Sequence, residues 1–340
     1  SATVRVDVTA VNDGPTTVAD FGTVVSSAGT SVRVLSNDSD IDGDTLTITE
    51  VTFEGETHEV SGETTITGAT TGSQVVVNPA NGRISFVPEG DWYKALSADD
   101  VIEKVLSYKV ADPGGVESDA TTLTLTVQGV NDAPEVASSA ITLSGTEDGA
   151  NVTGSLSDYA SDPDQGSQLT FSVAAGGDPE NGTLTVNPDG TFSYNPEDNF
   201  YGDDTFIFRV VDENGVAATK TVSINVASVN DAPTVVDEAV ELAANKSVVL
   251  RVLSNDSDIE GQDISLKLNS VEFNGAAGAV TATQNADGTI TITPGPNHAI
   301  FVDLAKNAAA AVQTISYTVQ DTEGGETDGQ VNLTVLGVEG

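Results

Sequence analysis

The 340-residue chain carries 52 acidic against 12 basic side chains, a formal charge of −40, with no cysteine, no methionine and only two histidines. So negative a surface repels nucleic acid and anionic lipid headgroups, and the missing cysteine excludes disulfides, thiolate metal centres and cysteine nucleophiles. A hydrophobic content of 38% still suffices for packed cores, while no apolar run approaches the ~20 residues that span a bilayer.

Residues 1–11 alternate apolar and polar at Val4, Val6 and Val8, and read as the last strand of a preceding repeat. Lacking methionine, the chain reads as a piece of a longer polypeptide. Val11-Asn12-Asp13-Gly14-Pro15 then marks a boundary, because it returns as Val130-Asn131-Asp132-Ala133-Pro134 and as Val229-Asn230-Asp231-Ala232-Pro233. Three units follow, 12–130, 131–229 and 230–340. Each has the size of a self-contained domain rather than of a solenoid repeat of about 20–50 residues.

In the first unit, Asn37-Asp38-Ser39-Asp40-Ile41-Asp42-Gly43-Asp44 crowds carboxylates into one loop. Like charges so close repel one another unless a hard cation neutralises them, and calcium takes about 6–8 oxygen ligands of this type. The competing explanation is that Asp, Asn, Ser and Gly are simply turn formers. An EF-hand does not fit, since its twelfth position is Thr49 and Leu46-Thr47-Ile48 alternates like a strand. Further along, Asn81-Gly82 predicts a hairpin, Trp92 and Tyr93 offer a possible contact surface, and Ser97-x-x-Asp100 predicts a capped helix over Leu96–Leu106. Asp112-Pro113-Gly114-Gly115 reads as a hairpin loop that brings Asp112 towards Asn131 and Asp132, and Leu123, Leu125 and Val127 form the last strand of the unit.

The second unit opens with Glu147-Asp148, read as the start of its first strand, and carries a variant acidic loop with Asp162 and Asp164. Asp189-Gly190 predicts a hairpin, Asn199, Phe200 and Tyr201 a second possible contact surface, Asp212 a hairpin loop, and Val222, Ile224 and Val226 the closing strand. In the third unit Asp237-Glu238 stands as a reordered counterpart of Glu147-Asp148, to which the first unit offers only Asp20. The acidic loop returns as Asn255, Asp256, Asp258, Glu260 and Asp263, at the same offset from its boundary as in the first unit. Asp287-Gly288 predicts a hairpin, 302–312 an Ala-rich helix, Asp321 a hairpin loop, and Val331, Leu333 and Val335 the closing strand. Short strands between Gly- and Asp-rich turns make the chain all-β, an antiparallel β-sandwich in every unit with minor short helices.

Ser107-Tyr108-Lys109-Val110-Ala111-Asp112, the strand to Val127 and the Asn131-Asp132-Ala133-Pro134 boundary together resemble the end of a cadherin repeat. Glu-Asp, Leu-x-Asn-Asp-x-Asp-x-Asp-Gly-Asp, Asp-Gly-x-x-x-Tyr and Asn-Asp-x-Pro, in that order, resemble the cadherin-like and VCBS-type repeats of large bacterial RTX adhesins exported by type I secretion. The resemblance covers essentially the whole chain. It implies Ig-like Greek-key sandwiches in an elongated array, with several Ca2+ ions at or near the junctions. Linker ligands would come from Asn12 and Asp13, Asn131 and Asp132, or Asn230 and Asp231, although Ala133 or Ala232 replaces the second Asn of cadherins.

The function expected is a non-catalytic, calcium-rigidified extender on a bacterial cell surface, a monomeric rod that projects a distal binding domain. Its partners are calcium and neighbouring repeats, with no nucleic acid and no membrane insertion. The alternative is direct recognition of a glycan or protein by the repeats. Catalysis has little support, because His58 and His298 lie outside any triad or His-x-x-x-His spacing and only 5% of residues are aromatic.

Overall fold

The computed structural model describes residues 3–295 and 312–338. Residues 3–11 carry no strand pairing, and Val4, Val6, Val8 and Val11 are exposed. The helix expected over 302–312 lies outside the described residues except for Val312, and so does His298.

In the first repeat two sheets enclose one core. The five-stranded sheet runs Asp20–Val25, Thr121–Gln128, Val101–Ala111, Thr47–Phe53, Glu56–Glu59 in spatial order, and the four-stranded sheet runs Thr30–Arg33, Arg83–Val87, Gln74–Asn78, Thr64–Thr67. Alternation decides which side chains fill the space between them. Leu123, Leu125 and Val127 of one strand and Leu106, Tyr108 and Val110 of its neighbour are all buried, with Phe86, Val75 and Val77 opposite. Phe86 takes edge contacts from Phe53 and Tyr93, with ring centroids 6.1 and 6.0 Å away.

The sheets are not wholly antiparallel. The opening strand Asp20–Val25 pairs in parallel with the closing strand Thr121–Gln128, from Asp20 opposite Leu123 to Val25 opposite Gln128. In the third repeat Glu238–Ala243 pairs in parallel with Glu326–Leu336. A parallel pair needs a long connection, and here the whole sandwich between the two strands supplies it.

The helix expected over Leu96–Leu106 does not form. A four-residue helix occupies Asp91–Lys94, and Val101–Ala111 is a strand. The capping chemistry is present nonetheless: the Ser97 amide donates to the Asp100 carboxylate at 2.9 Å, and the Asp100 amide to the Ser97 carbonyl at 2.9 Å. It closes a turn, because Val101, Ile102 and Val105 are β-branched and a full ladder to Thr121–Gln128 is on offer.

The second repeat has a four-stranded sheet in the order Ile141–Thr146, Ala217–Ala227, Gly202–Val211, Thr170–Val173, and a three-stranded one of Val152–Ser155, Thr191–Pro196, Gly182–Val186. Its core is rich in aromatics, with Phe171, Phe192, Tyr194, Phe206 and Phe208 all buried. The third repeat repeats the plan with Glu238–Ala243, Glu326–Leu336, Gln313–Gln320 and Ser265–Leu266 against Val248–Leu250, Ile290–Pro294 and Val280–Gln284. Two compact units divide the chain. One comprises Ser1–Ser144, Asn151–Asn195 and Asp203–Asn225, the other Gly145–Ala150, Pro196–Gly202 and Val226–Gly340.

Candidate cation sites at the linkers

Each Asn-Asp linker is held against its own repeat by the same set of contacts. The backbone amide of Asp13 donates to Asp42 at 2.8 Å, that of Asp132 to Asp164 at 2.9 Å, and that of Asp231 to Glu260 at 3.4 Å. The acid that accepts is positioned from within its loop, since the amides of Asp42, Asp164 and Glu260 donate to Asp40, Asp162 and Asp258 at 2.8, 2.9 and 3.0 Å. The linker amide side chains donate to the hairpin acids: Asn12 to Asp112 at 2.6 Å, Asn131 to Asp212 at 2.9 Å, Asn230 to Asp321 at 3.0 Å. A short bridge just beyond, Thr16 to Ser39, Glu135 to Ser161 or Thr234 to Ser257, fixes the linker to the loop.

The hairpin acids therefore face the linker that precedes their repeat. Asp112 sits against Asn12 rather than near Asn131 and Asp132 as the sequence suggests, and it is Asp212 that reaches Asn131. The reason is geometric: the closing strand runs the length of the sandwich away from that hairpin before it arrives at the next linker. Asp112, Asp212 and Asp321 are buried, and all three are held below the ordinary carboxylate range. For Asp112 the amide of Val116 is the largest cause; for Asp321 it is Asn230. For Asp212 burial pushes upward, but bonds from Asn131, Val216, Asn214 and Gly215 outweigh it.

Asn37 and Asn255 serve the backbone, donating to the carbonyls of Val18 and Val236 at 3.3 and 3.2 Å. Asp38 and Asp256 likewise accept the amides of Val18 and Val236 at 2.8 and 2.9 Å. Asp44, Asp148 and Asp263 accept none of the side-chain hydrogen bonds found among the described residues. In the place of Asp44 the third repeat has Gln262, not Asp263, and its amide donates to Asn230 at 2.5 Å.

Glu147 also needs a correction. It follows the opening strand Ile141–Thr146 instead of starting it, and Asp148 beyond it has a φ of 52°. Its amide donates to the Ala227 carbonyl at 3.1 Å, as Ser26 does to Gln128 at 2.8 Å and Ala244 to Leu336 at 3.0 Å. The counterparts of Glu147 are thus Ser26 and Ala244. Asp20 and Glu238 stand at a different place, the start of the opening strand, where each accepts a tyrosine hydroxyl: Tyr108 to Asp20 at 2.6 Å, Tyr317 to Glu238 at 2.7 Å. Burial pushes both carboxyls above the usual range, the tyrosine bonds hold them back, and Asp38 or Asp256 adds to the rise. The second repeat replaces this acid–tyrosine pair by Ile141 and Phe208, both buried.

Among the described residues, nine of the twelve buried side-chain atoms without a hydrogen-bond partner are carboxylate oxygens of these places: Asp40, Asp162, Asp164, Asp231, Asp258 and Glu260 in the loops and linkers, Glu147, and Glu238 with Asp256. Buried polar atoms are normally satisfied, so such a concentration of lone pairs is what a hard cation answers. The carboxyl of Asp164 is pushed up by burial and by Asp162, Asp132 and Asp212, and that of Glu260 by burial and by Asp231 and Asp258. The donor chemistry fits calcium. Among the described residues, however, no three Asp, Glu or His side chains gather into a metal centre by themselves, so backbone and amide oxygens must complete any coordination shell.

The aromatic candidates are placed differently from one another. Tyr93 is buried, while Trp92 is 44% exposed with the Lys104 ammonium 4.5 Å from its ring centroid. Asn199 adopts a φ of 57° and Tyr201 is 45% exposed. His58 lies on an edge strand of the first repeat, near Glu56.

A family described as bacterial cadherin-like domain matches residues 12–129 and 131–228, and one described as bacterial Ig domain matches 230–334. No curated protein matches. Among solved structures, protocadherin gamma B2 extracellular cadherin domains 1–5 superpose with a TM-score of 0.55 at 15% identity, over 97% of this chain and 61% of that one. The protocadherin gamma B4 extracellular domain gives 0.54 at 17% identity, over 97% and 50%. The chain thus spans little more than half the length of these relatives, and at such identity the likeness is one of fold. With two successive repeats matched, over more than half of its length, the chain belongs to the bacterial cadherin-like domain family.

Proposed function

We propose that the chain is a non-catalytic run of extender repeats from a bacterial cell-surface adhesin, stiffened by calcium at its linkers, that holds a distal binding domain away from the cell. The observation that carries this reading is the set of partnerless carboxylate oxygens at Asp40, Asp162, Asp164, Asp231, Asp258 and Glu260. Uncompensated buried charge is costly, and a divalent ion converts that cost into attraction between linker and loop. The linker also ends in proline at 15, 134 and 233 in all three copies, which restricts the backbone where an ion would lock it. The extracellular setting accords with cadherin-like and Ig-like modules. Among the described residues no helix is long and apolar enough to cross a membrane.

Calcium titration of the whole chain tests the proposal. Relative to chelator, millimolar calcium is expected to raise the melting temperature by several degrees and to narrow the range of dimensions seen by small-angle scattering. Identical melting and scattering in chelator and in calcium would overturn it.

A further inference from the structure

Three equivalent corners, where the opening strand turns against the end of the closing strand, hold Ser26, Glu147 and Ala244. Only one of these is a carboxylate. Glu147 is fully buried, accepts the Val229 amide at 2.7 Å through Oε1, and leaves Oε2 with no donor. The residue it touches leads directly into Asn230 and Asp231, whose own Oδ2 is partnerless, as are Asp258 Oδ2 and Glu260 Oε1. A carboxylate from before the linker therefore touches its first residue, Val229, while those of the loop that follows it bear on Asp231.

The corner at Ser26 has different chemistry. Ser26, Tyr93, Lys94, Glu89 and Asp132 line one open cavity of about 790 Å³ beside the linker at 132–134. A neutral hydroxyl replaces the buried carboxylate, and the Lys94 cation shares the cavity. The two repeats also touch directly there, where the Gln165 amide donates to the Ala95 carbonyl at 3.0 Å.

Resting on the calcium reading above, we infer that the cation sites are unequal: the linker at 229–231 is the tight one, Glu147 is the ligand that makes it so, and the linker at 130–132 binds weakly because Ser26 stands in the corresponding corner. Affinity in oxygen-ligand sites follows the count of charged donors and the rigidity of the cage. Glu147 brings one buried carboxylate, with an oxygen left over, to the edge of the 229–231 linker. Its side chain is already ordered by the Val229 bond, so little rotamer freedom remains to be lost on binding.

The test is a calorimetric calcium titration of the full chain, repeated with terbium luminescence excited through tyrosine. Two classes of site are expected, at least tenfold apart in affinity. Glu147→Gln should remove the tight class and leave the weak one, and Ser26→Glu, for which the neighbouring cavity has room, should convert a weak site into a tight one. Glu147→Gln is first compared with the parent chain by circular dichroism in chelator; if it misfolds, Ser26→Glu decides alone. A single class of affinity, an unchanged tight class in a folded Glu147→Gln chain, or no gain from Ser26→Glu would overturn the inference while leaving calcium binding intact. Absence of any calcium binding would instead overturn the proposed function together with it.

Discussion

A carboxylate in this chain is defined by what donates to it. Asp204 is buried and accepts the amides of Glu180, Asn181 and Thr205 at 3.1, 2.9 and 2.8 Å and the Tyr194 hydroxyl at 2.8 Å. Burial alone would raise its pKa, but these four donors outweigh burial and lower it. The stability it contributes is complete above the ordinary carboxylate range and is lost as pH falls through the lowered value. Asp204→Ala strands several donors and is expected to cost about 2–4 kcal/mol in chemical denaturation at neutral pH, with a smaller difference in acid. Asp20 and Glu238 behave oppositely: raised above their unfolded values, they favour folding most at low pH, and that contribution fades as pH rises through the folded pKa.

The hairpins show which local signals survive folding. Asn81-Gly82, Asp189-Gly190 and Asp287-Gly288 all turn between paired strands, with the glycines at φ of 66°, 89° and 75°. At Gly82 a Cβ would stand 2.6 Å from the Leu35 side chain as well as in a left-handed conformation. Gly82→Ala is therefore expected to destabilise the chain by about 1–3 kcal/mol in urea melts, with no effect on the calcium sites. Closing strands were equally legible, because period-two burial leaves an alternating record at Leu123, Leu125 and Val127. The helix over Leu96–Leu106 misled for the complementary reason: its capping pair is local, whereas the ladder that recruits Val101–Ala111 is not. Three-dimensional equivalence was likewise out of reach. Glu147 and Asp237-Glu238 look alike in sequence, and only the bonds to Ala227 and Leu336 show that Ala244 shares the place of Glu147. The tyrosine that pairs with Asp20 carried a faint signal, since Tyr108 and Tyr317 alternate with Phe208 at one offset before the hairpin acids.

At the scale of the molecule, the formal charge of −40 acquires an uneven distribution of purpose. Some acids are structural acceptors, such as Asp204, Asp212 and Asp321; others point unanswered oxygens at linkers. Divalent ions would lower the effective charge only at the second kind, so ionic strength and calcium should act on different residues.

The parallel pairing of opening and closing strands has a mechanical meaning. A chain pulled at its two ends loads Asp20–Val25 and Thr121–Gln128 in opposite directions along one shared ladder, so the rungs from Asp20–Leu123 to Val25–Gln128 resist together instead of opening in turn. Glu238–Ala243 and Glu326–Leu336 repeat the geometry. Forced unfolding follows the rate at which such a barrier is crossed. Single-molecule stretching is therefore expected to show abrupt rupture peaks, and a proline at Thr23 or Val240, inside these ladders, should lower the peak force of its own repeat alone. The first and third repeats thus gain their toughness from where their ends lie, before any ligand or ion is counted.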